Sequence, residues 1–232
     1  MRGGDRLAEM ELCVDPDPAH AAAARIARRL RDAVRRRGGA SLALSGGSTT
    51  PPMIAALLDA DVPWDAVRIL QVDERIAPDG DDDRNANQLA GLARVAHVDL
   101  LPVTATGRRA AARRYAARLP DPIDVVHLGI GSDGHTASWP PGRDDVIVSP
   151  RSVELVGEFH GRERMTLTGR VVNGARCRVV LATGSEKRPV VERWLEGDRS
   201  LPIAHVRRSG TWVHLDAAAA PEQHGRIPVG NV

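Results

Sequence analysis

The sequence predicts an α/β fold, a mostly parallel sheet flanked by helices with small appended β and α pieces, and three observations carry that reading. Ile123 to Leu128 is an apolar, β-branched run after an Asp121-Pro122 turn, the pattern of a strand buried on both faces. Short apolar runs alternate along the chain with stretches of helical periodicity. Several strands also run straight into glycine- and hydroxyl-rich segments that open helices, at the sheet edge where open α/β folds bind ligands. With 232 residues the chain fits one large domain, 1–232, able to bury a real core.

The elements follow in order. Met10 to Val14 reads as a short opening strand. Asp17 then caps a helix with Pro18 at its first position, and the helix runs to Arg37 and stops at Gly38-Gly39. Ser41 to Leu44 is a strand, delivered into Ser45-Gly-Gly-Ser-Thr-Thr-Pro-Pro52, whose prolines start a helix reaching about Asp59. Val67 to Val72 is the next strand and ends in Asp73-Glu74-Arg75. Asp81 to Asp83 cap a helix from Arg84 onward, and Thr106 to Leu119 is an amphipathic helix. After the central strand Ile123 to Leu128, strand-like pieces are expected at Asp145 to Ser149 and Val153 to Val156. A short helix to Ala175 and the strand Cys177 to Ala182 come next. Thr183-Gly-Ser-Glu-Lys187 opens a helix carrying Trp194 and Leu195, Pro202 to Val206 and Thr211 to Leu215 read as closing strands, and Ala217 onward as a short helix and tail.

Composition narrows the function classes. A net charge of +2 with acids and bases interspersed, despite a pI of 8.9, gives no field for nucleic acid or a membrane surface. The basic run Arg25 to Arg37 is expected to be a solvated helix face opposite Ile26, Leu30 and Val34. Cys13 and Cys177 stand far apart and outside any C-x-x-C or His/Cys cluster, so neither a disulfide frame nor a zinc site is expected, and no metal-ligand cluster is visible. Met1 to Asp5 carries no apolar core of signal length, and no run spans a bilayer; a reducing cytoplasm is the default. Oligomeric state is open, with a monomer the simpler expectation.

Three segments carry chemistry. Ser45, Gly46, Gly47, Ser48 and Thr49 ahead of a helix form an anion cradle, since free amide donors and the positive end of the helix dipole favour phosphate. The loop lacks the lysine of a nucleoside-triphosphate loop and the full dinucleotide fingerprint, so a sugar phosphate is expected. Asp73 and Arg75 end a strand with a carboxylate and a guanidinium, and the first turn beyond carries Asn85. Gly129-Ile-Gly131-Ser-Asp133-Gly134-His135 puts a carboxylate and an imidazole beside a backbone that glycine lets approach a ligand.

Taken together, Ser45-Gly-Gly-Ser-Thr-Thr-Pro51, Asp73-Glu-Arg75, Arg84-Asn85, Gly129 to Ser138, Arg164-Met-Thr-Leu-Thr168 and Gly184-Ser-Glu-Lys187 resemble the 6-phosphogluconolactonase family, from Ser41 to about Leu215. The resemblance implies a Rossmann-like fold shared with sugar-phosphate deaminases and isomerases, no nicotinamide cofactor, and hydrolysis of 6-phospho-D-glucono-1,5-lactone. It implies His135 as general base, with Asp73 or Asp133 orienting it or the substrate hydroxyls, and Arg75 on the oxyanion or ring-oxygen side. It also implies phosphate binding by residues 45–49, Lys187 and Arg164, with Asn85 and Gly131 lining the site. Glucosamine-6-phosphate deaminases have a similar Asp-Gly-His loop, but theirs continues into Asn-Glu-Pro, where this chain has Ser138-Trp-Pro-Pro-Gly142 and no acid. The alternatives are thus a deaminase or isomerase of the same superfamily, or a non-catalytic sugar-phosphate sensor. Trp139-Pro140 replaces the lactonases' usual Leu-Phe, which bears on packing, and Arg84 replaces a serine, which changes one polar contact.

Overall fold

The computed structural model of the protein describes residues 10–222, so Met1 to Asp5 and most of the tail beyond Ala217 lie outside the described residues. Seven strands form one sheet: β1 (Glu11–Val14), β2 (Ala40–Leu44), β3 (Val67–Gln71), β5 (His97–Asp99), β6 (Val125–Leu128), β9 (Cys177–Ala182) and β10 (Thr211–Leu215). Their order is β1-β10-β9-β6-β2-β3-β5, and every pairing is parallel. Three more strands, β4 (Asp73–Arg75), β7 (Val153–Phe159) and β8 (Arg162–Leu167), make a small antiparallel sheet in the order β4-β8-β7. The helices are α1 (Pro18–Arg37), α2 (Thr50–Asp59), α3 (Arg108–Ala116), α4 (Asp144–Ile147), α5 (Gly169–Gly174) and α6 (Arg188–Leu195).

The alternation of strand side chains divides the core in two. On one face Leu42, Leu44, Ile69 and Val179 pack with Ile26 and Leu30 of α1 and Met53 and Leu57 of α2. On the other, Ala43, Val126 and Val180 pack with Tyr115, Trp139 and Trp194. Helix α1 starts and stops as its sequence dictates: the Asp17 carboxylate accepts from His20 N at 3.0 Å, Pro18 takes the first turn, and Gly38 closes the helix at φ 75°. Its basic stripe is not all solvated, because the Arg25 guanidinium lies 3.3 Å over the Trp212 ring and Arg37 pairs with Asp124 at 2.5 Å.

Several expected elements differ. No strand forms over Asp145 to Ser149, where Asp144–Ile147 is the one-turn helix α4: three apolar residues have no decisive period, and Asp144 and Asp145 favour a helix N-terminus. Pro202–His205 is a 3₁₀ turn rather than a strand, since Pro202 has no N–H for a ladder. The helix expected from Arg84 is two 3₁₀ turns, Asn85–Leu89 and Leu92–Arg94, and three-residue β5 follows them unforeseen. Ala217 to Ala220 form a turn held by Asp216, whose carboxylate accepts from Ala219 N at 2.7 Å. Among the described residues no helix is long and apolar enough to cross a membrane.

Two core histidines predict an acid limit to stability. His127 of β6 and His214 of β10 are buried, with no well-formed hydrogen bond at any ring nitrogen. Burial pushes both to about 4, and for His127 the neighbouring His214 adds to the effect. Both rings are neutral when folded but take protons near pH 6.5 when unfolded. Stability should therefore be full above that pH and fall as pH drops from about 6.5 to 4, by on the order of 2–3 kcal/mol per histidine. Urea midpoints at pH 7 and 4.5 measure this; His127→Leu should shrink the difference, and a midpoint that does not move with pH in the wild type would rule the account out.

Candidate active site

The site lies where the sheet changes direction. From β2 the chain moves outward to β3 and β5, then returns to lay β6 on the other side of β2. The loops leaving the carboxyl ends of β2 and β6 therefore diverge and leave a crevice between them, the topological switch point of an open α/β sheet. A cleft of about 190 Å³ sits there, lined by residues 45–49, Asp73, Arg75, Asn85, Gly129 to Gly131, His135 to Ala137, Arg164 and Lys187, with Leu181 and Ala182 also on its wall. It is smaller than the roughly 300–1,000 Å³ of sites for drug-sized ligands, and suits one compact polar molecule.

The β2 loop supplies anion donors. Ser45 N bonds His127 O at 3.2 Å and Thr50 Oγ1 bonds Ser45 O at 2.9 Å, which anchors both ends of the turn. The Thr49 side chain does not cap α2, and the buried Ser45 hydroxyl has no hydrogen-bond partner among the described residues. Both hydroxyls are left to a ligand at the helix N-terminus. Gly46 is required by space: a Cβ there would stand 1.9 Å from Asn85 Oδ1.

The β6 loop builds the base. Gly131 N bonds His135 O at 2.8 Å, and Gly134, at φ 84°, turns the chain back. Asp133 Oδ1 lies 2.5 Å from His135 Nδ1 and accepts from His135 N at 3.1 Å. With Nδ1 held by the carboxylate, Nε2 is the ring nitrogen left for a reacting water. Burial lowers the His135 pKa, only partly offset by Asp133, so the ring is neutral at neutral pH. Burial alone would raise Asp133, but its hydrogen bonds and attraction to His135 bring it below the usual carboxylate value. Asp73 is elsewhere: its Oδ2 accepts from Ser138 Oγ at 2.7 Å and lies 4.0 Å from Arg164 Nη1. Burial raises its pKa despite these partners.

The small sheet brings in the cations. Arg75 of β4 stands directly opposite Arg164 of β8. Like charges facing across a ladder are unfavourable unless an anion lies between or beside them. Burial first, and Arg75 next, hold the Arg164 guanidinium below its ordinary pKa. Arg75 Nη1 also donates to Asn85 Oδ1 and, at 2.9 Å, to Asp83 O. Lys187 ends the 3₁₀ turn after β9 and completes the ring of donors.

Residues 15–215 match the model of the glucosamine-6-phosphate isomerases/6-phosphogluconolactonase family. The chain belongs to that family. A 6-phosphogluconolactonase of Mesorhizobium japonicum is 37% identical over 220 residues, 89% of each chain, and one of Rhizobium meliloti is 34% identical, covering 88% of this chain and 96% of its own. The crystal structure of a 6-phosphogluconolactonase from Shewanella baltica superposes with a TM-score of 0.80 at 27% identity, over 92% of this chain and 99% of that one.

Within the family's pattern the two departures have structural answers. Trp139 is fully buried and donates Nε1–H to Leu167 O at 2.9 Å, so the altered loop is packed and satisfied. Arg84 points away from the cleft into a buried pair with Glu74, Nε to Oε2 at 3.1 Å, and donates to Ala77 O at 2.9 Å. Glu74 escaped the sequence reading because it sits between the two cleft residues of its strand and faces inward. Its carboxylate takes the Asn85 and Ala86 amides at 2.8 and 2.9 Å and so holds Asn85 against Arg75. Phe159 and His160 were missed for a different reason: they sit at the β7–β8 turn, just ahead of Arg164 to Thr168 and inside none of the motifs. That turn brings Asp133, His135 and His160 together, their potential ligand atoms within 4.8 Å of one another, a grouping sequence spacing alone does not reveal.

Proposed function

We propose that the protein hydrolyses 6-phospho-D-glucono-1,5-lactone to 6-phospho-D-gluconate, the second step of the oxidative pentose phosphate pathway, with the chain acting as one domain and without a cofactor. The observation that carries this reading is one carboxylate-backed imidazole, Asp133–His135, beside a cleft that also holds two facing guanidiniums. The Ser45 to Thr49 loop, Lys187 and Arg164 hold the phosphate. His135 Nε2 takes a proton from water as its oxygen attacks C1, and Arg75 stabilises the tetrahedral oxyanion. As the carbonyl reforms, the bond from C1 to the ring oxygen breaks and the imidazolium returns its proton to that oxygen. Asp133 orients His135, whereas Asp73 fixes Ser138 and Arg164. A deaminase is disfavoured because the segment Ser138 to Gly142 supplies no second acid.

The test is hydrolysis of freshly made lactone, coupled to oxidation of 6-phosphogluconate with the spontaneous rate subtracted, and glucosamine 6-phosphate offered in parallel. Acceleration on the lactone alone supports the reading, and turnover of the amino sugar instead would replace it. Lys187→Ala should raise KM by about tenfold or more while kcat changes less, because phosphate binding is shared by ground and transition states. An unchanged KM would remove Lys187 from the phosphate site.

A further inference from the structure

The β7–β8 hairpin ends over the Asp133–His135 pair, and its construction is unusual in three respects. Its two-residue turn, His160-Gly161, has both residues at positive φ, 52° and 75°, the type I′ geometry for which Asn-Gly is the favoured pair. Histidine tolerates that region less readily than asparagine or glycine. A register shift between Val156 and Phe159 inserts an extra residue into β7 just before the tip, and such bulges re-aim the side chains that follow. Finally, Phe159, the one phenylalanine of the sequence, is used here on a half-exposed hairpin rather than in the core.

The side chains so aimed converge on the base. The Phe159 ring meets His135 edge-on with centroids 5.1 Å apart and lies against His160 at 4.2 Å, the two planes tilted by 46°. His160 in turn lies 5.3 Å from His135, and its Nε2 is 3.8 Å from Asp133 Oδ2, the carboxylate oxygen that His135 leaves unused. The hairpin is held from below by Arg164, whose Nε donates to Phe159 O at 2.9 Å and whose guanidinium lies 5.2 Å from the Phe159 ring centre. A non-glycine residue at positive φ beside a titrating pair is an observation from which a functional hypothesis starts.

We infer that the hairpin tip is a clamp on the general base: Phe159 and His160 are positioning residues that fix the His135 ring and the Asp133 carboxylate in the orientation leaving Nε2 toward the cleft. This rests on the lactonase reading. Phe159 meets the imidazole at its edge and limits its rotation, and His160, beside His135, faces the second carboxylate oxygen of Asp133 at 3.8 Å.

The conformation of His160 allows a clean test, since His160→Asn installs the residue the turn prefers. A merely structural histidine would give a variant as stable as the wild type or more so and equally active. A clamp would give the same or higher Tm with kcat lowered about fivefold and KM within about twofold. Phe159→Leu should lower kcat about tenfold, and Phe159→Tyr should restore most of it, because the ring and not mere bulk sets the imidazole. Full kcat in both His160→Asn and Phe159→Leu overturns the clamp, as does a rise in KM alone. All assays are run with and without a chelator. If the gap between wild type and His160→Asn vanishes in chelator, a metal ion at this cluster accounts for it and the clamp is again overturned. A wild type that fails to accelerate lactone hydrolysis would instead sink the proposed function, so the two failures are distinct.

Discussion

His135→Ala should lower kcat by about 10²–10⁴-fold, the usual worth of a positioned general base, with KM little changed because the phosphate donors stay in place. Asp133→Asn tests the same unit from the other end. It removes the acceptor that holds Nδ1, 2.5 Å away, and lets the ring present the wrong tautomer, so a loss of about 10²-fold is expected. Asp73→Asn, by contrast, loosens Ser138 and Arg164 and should act on KM at least as much as on kcat. The pH profile adds an independent check. The working form is the neutral imidazole, and burial lowers its pKa below 6.5, so activity should stay level through neutral pH and fall only on the acid side of the ordinary histidine range. An acid limb inflecting above 6.5, or a His135→Ala enzyme with wild-type turnover above the spontaneous rate, would end the assignment.

Much of this was legible in the sequence because local chemistry and global fold agree there. Asp17-Pro18 and Gly38 mark α1 by capping rules that need no tertiary information, and the apolar runs of β2, β6 and β9 announce doubly covered strands. The cleft loops could be found because each follows such a strand directly. What remained hidden is what only packing decides. Asp73 and Asp133 are equivalent carboxylates on paper, and the assignment of one to Ser138 and the other to His135 comes from where β4 leaves the main sheet. Arg75 and Arg164 are 89 residues apart, and their opposition follows from one antiparallel register. The turns at Asp144–Ile147 and Pro202–His205 were misassigned because segments of four or five residues carry too little periodicity to outweigh their own termini.

The second large effect comes from an atom that is missing. Gly131→Ala should lower kcat by about 10²-fold or more although it removes no titrating group, because the added methyl occupies the place of the base. A Cβ at Gly131 would lie 2.0 Å from His135 Nδ1, 2.1 Å from Cε1 and 2.6 Å from Asp133 Oδ1, all inside any tolerable contact. The backbone cannot easily yield, since Gly131 N is bonded to His135 O at 2.8 Å and its carbonyl to Gly134 N at 3.0 Å. The imidazole must therefore swing out, and with it goes the bond between Nδ1 and the carboxylate. Gly174→Ala is the control: it ends α5 outside the cleft, has no positive φ, and its Cβ would meet nothing within 4 Å beyond its chain neighbours and its own helix, so kcat should stay within a few-fold of wild type. Gly131 does not need glycine for a left-handed φ, so any loss measures displacement of the ring rather than backbone strain. A Gly131→Ala enzyme with full kcat and unchanged Tm would show that the Asp133–His135 geometry can be rebuilt around a methyl group, and that the close packing of this loop is not what sets the rate.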